Sequence, residues 1–238
     1  MDGIESRYGF IKIIYEDNHV LAAVKPPNLP SQSDLTGDED MLTLLKKYIG
    51  EKYKKNGAVY LGLVHRLDRP VGGIMVFART SKAAARLSEQ FAGHSTQKHY
   101  LAVLEGELLE ERHMECSILA RQGMNVQIVP DGVPGSKKAA LTSTPVYTKN
   151  GLTLTDVTLE TGRKHQIRVQ HMNAGFPLWG DNRYGHGKKG MQIALWAYTL
   201  TIEHPTLKKP VVLKCLPPKT GIWESFYTEI ETHAGDKA

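Results

Sequence analysis

Leu63-Val64-His65-Arg66-Leu67-Asp68-Arg69-Pro70-Val71-Gly72-Gly73-Ile74-Met75-Val76-Phe77-Ala78-Arg79-Thr80 divides into two halves of opposite character. The first is polar and charged, and Pro70, Gly72 and Gly73 interrupt it. The second, Ile74 to Ala78, is an unbroken apolar run of strand length. Such a run suits a strand buried on both faces, although five residues alone do not distinguish it from a buried helix segment. A charged loop leading into a buried strand gives Asp68 a stiff support, and functional side chains are often carried on loops anchored to rigid elements. Taken alone, Arg66 and Asp68 read equally well as a weak surface ion pair.

The chain around this stretch is ordinary in bulk. Its 238 residues suit one large domain or one domain with two lobes, with enough chain for a proper core. Hydrophobic residues at 41% and charged residues at 23% argue against general disorder. The net charge of +5 is compatible with nucleic-acid binding without requiring it. Lysines fall in pairs (46-47, 54-55, 137-138, 188-189, 208-209), each most simply a solvated surface, whose summed field matters for phosphate. Cys116 and Cys215 lie far apart, have no zinc spacing, and read as free thiols of a reducing compartment. No signal pattern and no run of membrane-spanning length is found, so a soluble cytoplasmic protein is expected.

In order, Ile11 to Tyr15 and His19 to Val24 read as a hairpin around Glu16-Asp17-Asn18. Lys25-Pro26-Pro27 must then leave regular structure, with Lys25 either contacting nucleic acid or capping the strand. Ser31 to Glu39 is expected as a mobile loop. Met41 to Tyr53 has the apolar spacing of an amphipathic helix, and Thr80 or Ser81 can cap another running to Gly93. Gln97 to Gly106 is strand-like, as are Glu115 to Ala120, Val126 to Val129 and Ala140 to Tyr147, with turns at Gln122-Gly123 and Pro130-Asp131-Gly132. In Gly151 to Leu159 the apolar parity changes near Asp156, which predicts a bulge or burial on both faces. Val169 to Ala174 reads as a short helix, Gln192 to Ile202 and Val211 to Cys215 as strands. Thr220 to Ile230 reads as a terminal helix before a frayed tail. Many strands and about four helices without a βαβ rhythm predict an α+β fold.

His65-Arg66-Leu67-Asp68-Arg69-Pro70-Val71-Gly72-Gly73 resembles the signature block of the RluA-type pseudouridine synthases. The hairpin followed by Lys25-Pro26, the strand Gln97 to Gly106, and Thr161-Gly162-Arg163-Lys164-His165-Gln166-Ile167-Arg168 with Phe176 to Gly185 resemble further blocks of that family in the same order. The likeness runs from about Ile11 to Leu216. Gly72 departs from the family's usual Ser, and Lys164 from a small residue.

The resemblance implies one catalytic domain over residues 1–238, with a mixed, mainly antiparallel central sheet flanked by helices and no separate N-terminal S4-type module. It implies RNA pseudouridine formation on a ribosomal or transfer RNA. The chain's length suggests a compact stem-loop as substrate, and a monomer with no membrane partner is the default expectation. That reaction breaks the uracil N1–C1′ bond, turns the base and joins C5 to C1′. It needs no redox change or group donor, so no metal and no organic cofactor is expected. Asp68 becomes the catalytic carboxylate, attacking C1′ or the base or removing a sugar proton. Arg163 becomes its partner, since a guanidinium binds a carboxylate bidentately and keeps it ionised. Tyr100 packs on the target uracil and can assist proton transfer at C5. Arg66 fills the space of the extruded base, whose flipping costs roughly a few kcal/mol. His65, Lys164, Arg168 and Arg183 are further RNA-contact candidates. A metal set of His65, His165, His171 and Asp181 is disfavoured by its spacing. Ser31–Glu39 and Asp131–Lys138 are candidate specificity loops. The competing functions are an RNA-binding protein of this fold without catalysis, and a phosphotransfer enzyme or glycosidase. The latter lacks a glycine phosphate loop or a carboxylate pair.

Overall fold

The computed structural model describes residues 2–121 and 125–236. The turn expected at Gln122-Gly123 lies outside them. The chain forms two units, Met1–Gln97 with Thr199–Cys215, and Lys98–Tyr198 with Leu216–Ala238.

The first unit opens with β1 (Gly3–Ile4), β2 (Ile11–Glu16) and β3 (Val20–Lys25), which pair antiparallel in that order. Helix α1 (Met41–Lys52) starts where the Asp40 carboxylate accepts from Thr43 N at 3.0 Å, a side-chain N-cap. A short β4 (Gly62–Leu63) precedes β5 (Gly72–Ala78). The apolar run is thus a strand, and every residue of it is buried. It pairs with β3 from Val20↔Ala78 to Lys25↔Gly73, and with β4 at Gly62↔Ala78 and Leu63↔Phe77. Gly73 has φ of 121°, a conformation that a Cβ would strain. Helix α2 (Ser81–Ala92) is capped by Thr80 and buries Ala83 and Leu87 against Val20, Ala22, Ile74 and Val76. In the loop Ser31–Glu39, Asp38 pairs with Arg7 and Arg69, and the Asp34 carboxylate accepts from Thr36 N at 2.9 Å.

The second unit contains β6 (Gln97–Glu105) from Lys98 on, β7 (Arg112–Leu119), β8 (Gln127–Val129), β9 (Lys137–Lys149) and β10 (Leu152–Leu159). Their antiparallel order is β6-β10-β9-β7-β8. The parity change has both anticipated sources. Thr153 to Val157 are all buried, and the β9–β10 register slips between Leu154 and Thr155. Helix α3 (Gln166–Asn173) begins three residues before the expected Val169, because Gln166 is fixed by bonds to Thr161, Arg163 and Ala140. Val169 packs with Ile118, Val126 and Ala139.

Strand β11 (Leu195–Glu203) crosses the boundary at 198/199, and β12 (Pro210–Lys214) pairs with its first-unit half. The chain ends as a 3₁₀ helix, Gly221–Phe226, then α4 (Tyr227–Asp236). The expected frayed tail is therefore largely helix. Ile230 is fully buried, and His233 Nε2 reaches the Asp156 carboxylate at 2.8 Å. The helices and antiparallel strands give the expected α+β class. Among the described residues no helix is long and apolar enough to cross a membrane.

Candidate active site

Asp68 sits in the loop between β4 and β5, partly accessible, with Leu67 and Val71 buried on either side. The loop is closed on itself, as Val71 N donates to Asp68 O at 3.0 Å and Arg69 N to Asp68 Oδ1 at 2.9 Å. A second segment, residues 25–31, grips the backbone on both sides of Asp68. Ser31 Oγ donates to Leu67 O at 2.8 Å, and Asn28 N to Arg69 O at 2.8 Å. Lys25 Nζ donates to the same Arg69 carbonyl at 3.0 Å. Lys25 is completely buried, which removes the alternative of an RNA contact, and its ammonium caps the loop after β3. Ser31 did not stand out in the sequence, and the tie from Lys25 to this loop did not either, because the Leu67 and Arg69 carbonyls they hold lie 36 and 44 residues away.

His65, the neighbouring candidate, is committed to the fold. Its Nε2 accepts from Val76 N at 2.9 Å, and its ring stacks on Phe91 with centroids 4.4 Å apart. Arg66, one residue on, is exposed.

In the second unit, Arg163 lies in the loop between β10 and α3. Gln166 organises that loop: its Oε1 accepts from Thr161 Oγ1 at 2.7 Å and from Arg163 N at 3.0 Å, while Nε2 donates to Ala140 O at 3.0 Å. Arg163 Nε donates to Lys138 O at 2.8 Å, which fixes the plane of the guanidinium. Lys98 at the start of β6 is buried. Burial, and then the positive charge of Arg163, hold its ammonium below the usual lysine range. Two cations thus share one neighbourhood, an arrangement that an anion would relieve. Tyr100, two residues along β6 and paired with Val157, keeps part of its surface accessible, yet burial pushes its phenol up to about 12.

The remaining candidates separate. Lys164 and Arg183 are exposed. Arg168, expected at a phosphate, is corrected by the structure. Its side chain is 5% exposed and donates to both carboxylate oxygens of Asp181, itself 1% exposed. The metal set also separates into structural roles. His165, in a left-handed conformation at the start of α3, hydrogen-bonds Tyr184 Oη at 2.7 Å. His171 is fully buried with both ring nitrogens occupied, by Ile167 O and Ser143 Oγ.

Comparison with known proteins gives the class, the RNA pseudouridine synthases, which are RNA-modifying isomerases. The sequence model of the family described as RNA pseudouridylate synthase matches residues 19–174. Ribosomal large subunit pseudouridine synthase D of Zymomonas mobilis is 34% identical over 215 residues, covering 84% of this chain and 67% of that protein. An uncharacterized RNA pseudouridine synthase of Bacillus subtilis is 33% identical over 213 residues, covering 86% of this chain and 68% of that protein. A tRNA pseudouridine synthase C of Vibrio vulnificus is 26% identical over 247 residues, covering 93% and 96%. The solved structure of human RNA pseudouridylate synthase domain containing 4 has the same fold, with a TM-score of 0.74 at 21% identity over 92% of this chain and 91% of that one. The chain belongs to the RNA pseudouridylate synthase family.

Proposed function

We propose that this chain converts uridine to pseudouridine in a folded ribosomal or transfer RNA, with Asp68 as the carboxylate that drives the reaction. The observation that carries the assignment is the double anchoring of the Asp68 loop, from Ser31 below Leu67 and from Lys25 and Asn28 below Arg69. A carboxylate so held needs little reorganisation at the moment of reaction.

In the reaction, the N1–C1′ bond breaks, the uracil turns, C5 bonds to C1′, and the C5 proton leaves while N1 gains one. Asp68 drives the glycosidic cleavage. Arg163 is the guanidinium that keeps the carboxylate ionised, and its crowding with Lys98 supports a role facing an anion. Tyr100 packs on the base, and its hydroxyl serves the C5 proton. Arg66, exposed beside Asp68, stacks where the flipped base has left. Lys164 and Arg183 contact phosphates. The chain acts as one catalytic domain, as a monomer in the cytoplasm, and Cys116 and Cys215, which are not disulfide-bonded, fit a reducing compartment.

The test is pseudouridine mapping of total RNA from cells with and without the gene, complemented with wild type or Asp68→Asn. One or more sites should vanish and return only with wild type. Restoration by Asp68→Asn would remove the assignment. An unchanged map, with purified protein also inactive on candidate RNAs, would favour the non-catalytic RNA-binding reading.

A further inference from the structure

Leu35 is the most exposed large apolar side chain among the described residues, at 108% relative exposure. It stands at the first corner of a turn. Gly37 N donates to Asp34 O at 3.4 Å to close that turn, and the Asp34 carboxylate accepts from Thr36 N at 2.9 Å and from Thr36 Oγ1 at 2.5 Å. A turn corner takes most residue types, so the turn itself does not call for leucine. Single exposed apolar side chains are common and need no explanation by themselves. The placement of this one does.

Both neighbours of Leu35 touch the side chain of Arg69, the residue after Asp68. Thr36 Oγ1 accepts from Arg69 Nη1 at 3.3 Å, and Asp34 Oδ2 lies 3.7 Å from the same nitrogen. Arg69 Nη2 pairs with Asp38, and Nε donates to Asn28 O at 3.2 Å. At the start of the loop, Ser31 Oγ donates to the carbonyl of Leu67, the residue before Asp68. The loop that presents Leu35 is therefore bonded to the catalytic loop on both sides of the carboxylate. An acidic stretch is a poor neighbour for phosphates unless its charges are met. Here Asp38 pairs with Arg7 and Arg69, Asp34 faces Arg69, and Asp40 is buried as the cap of α1. What the turn holds out is hydrocarbon. Leucine is among the side chains that nucleic-acid-binding proteins insert between stacked bases, and burying its apolar surface offsets part of the cost of unstacking.

We propose that Leu35 is a wedge for RNA, which enters the stack beside the target uridine and opens that base step while Arg66 takes the space of the extruded base. This rests on the reading of Asp68 as the catalytic carboxylate of a uridine-isomerising enzyme. Leu35 meets the faces of stacked bases, not phosphates or base edges. It therefore favours uridines that adjoin an easily opened step.

The experiment measures single-turnover pseudouridine formation on a protein-free transcript of the mapped site, both folded and as a short unstructured oligonucleotide. Wild type is compared with Leu35→Ala, Leu35→Met and Asp68→Asn, with circular dichroism reporting the fold. A parallel transcript carries 2-aminopurine beside the target uridine, and its fluorescence rises on unstacking. Leu35→Ala should slow the folded transcript by about 10- to 100-fold, the range set by burying a leucine side chain, and lose most of the fluorescence rise. Its rate on the oligonucleotide and its salt dependence of binding should match wild type, because no phosphate contact is removed. Leu35→Met keeps an apolar side chain of similar volume and should restore both signals. A wild-type rate and fluorescence rise in Leu35→Ala overturn the proposal, and if that variant then fails only on the site within its native ribonucleoprotein, Leu35 meets a protein. An equal loss on the oligonucleotide, or loss of the fold, overturns it as well. Turnover by Asp68→Asn overturns the reading of Asp68, and it is seen apart from the fluorescence, which reports unstacking without turnover.

Discussion

Arg168 holds Asp181 with two parallel hydrogen bonds, Nε to Oδ2 at 2.7 Å and Nη2 to Oδ1 at 2.6 Å, and neither side chain reaches solvent. The remaining capacity of the carboxylate is also used, because Arg183 N and Tyr184 N donate to Oδ1 at 2.9 and 3.1 Å. Asp181 therefore ties α3 to the loop after it. Truncating one partner strands the other as a buried charge, typically worth 3–5 kcal/mol. Asp181→Ala should lower the unfolding free energy by roughly that amount. Burial alone would raise the Asp181 carboxyl, but Arg168 and the two N–H groups hold it below the usual range. A depressed folded pKa gives stability that is present above the unfolded value of about 3.9 and is lost as pH falls through the folded one. Denaturation curves should show the wild-type advantage over Asp181→Ala undiminished from pH 7 to 5 and shrinking below about pH 4.

His171 gives a pH dependence of the same sign over a higher window. Burial pushes its imidazole down to about 4, against the bond to Ile167 O, which works upward. Nδ1 donates to Ile167 O and Nε2 accepts from Ser143 Oγ, so the folded chain holds the neutral ring. The unfolded ring titrates near 6.5 and takes up protons first. Stability is then complete above about pH 6.5, falls as pH drops toward 4, and levels off below, a loss on the order of 3 kcal/mol. His171→Gln should flatten this slope in urea unfolding between pH 7.5 and 5. An unchanged slope would show that another group sets it.

The sequence was most legible where local pattern and burial agree. Ile74 to Ala78 is a strand, one of the two readings its continuous apolarity left open, and pairing with β3 and β4 decides between them. The cap at Thr80 was read from the sequence, and the cap at Asp40, which was not, uses the same short-range chemistry. The loop chemistry was less legible, since Lys25, Ser31 and Gln166 act on backbone carbonyls or on a loop's own amides. Their roles depend on chain geometry that composition does not encode. Arg168 looked like a phosphate ligand because a basic residue in a basic segment reads as surface. Its partner Asp181 is thirteen residues away across a loop, and only the fold brings the two together. The end of the chain was misjudged because Glu231 onward is polar, while the contact that keeps it helical, His233 with Asp156, is tertiary.

Tyr100 offers a test that separates packing from proton transfer. With its phenol at about 12, the hydroxyl stays protonated across the physiological range. It acts as a placed donor, or passes a proton only in concert with the reaction. Tyr100→Phe preserves the ring and should leave KM within about twofold while lowering kcat by roughly a hundredfold, the lower bound for one lost acid–base group. The wild-type profile should show no basic limb from this group below about pH 11, one unit under its titration. Normal turnover by the Phe variant would end the proton-transfer role and leave Tyr100 as a packing surface.

Arg66 is the exposed residue beside the anchored carboxylate, and its substitution should depend on the structure of the RNA. A uridine stacked in a duplex or a tight loop must be extruded before Asp68 can reach it, at roughly a few kcal/mol. A planar cation that stacks on the bases left behind offsets part of that cost, with a base-stacking contact worth about 1–3 kcal/mol. Arg66→Ala should therefore slow modification of the folded stem-loop by about 5- to 150-fold. The same uridine in an unstructured oligonucleotide needs no extrusion and should lose far less. Salt separates this from a phosphate contact. Loss of a phosphate contact lowers the dependence of binding on salt by about one counterion on both RNAs. If both substrates lose rate equally and the salt slope falls, Arg66 is a phosphate ligand, and the space of the flipped base is filled by another group.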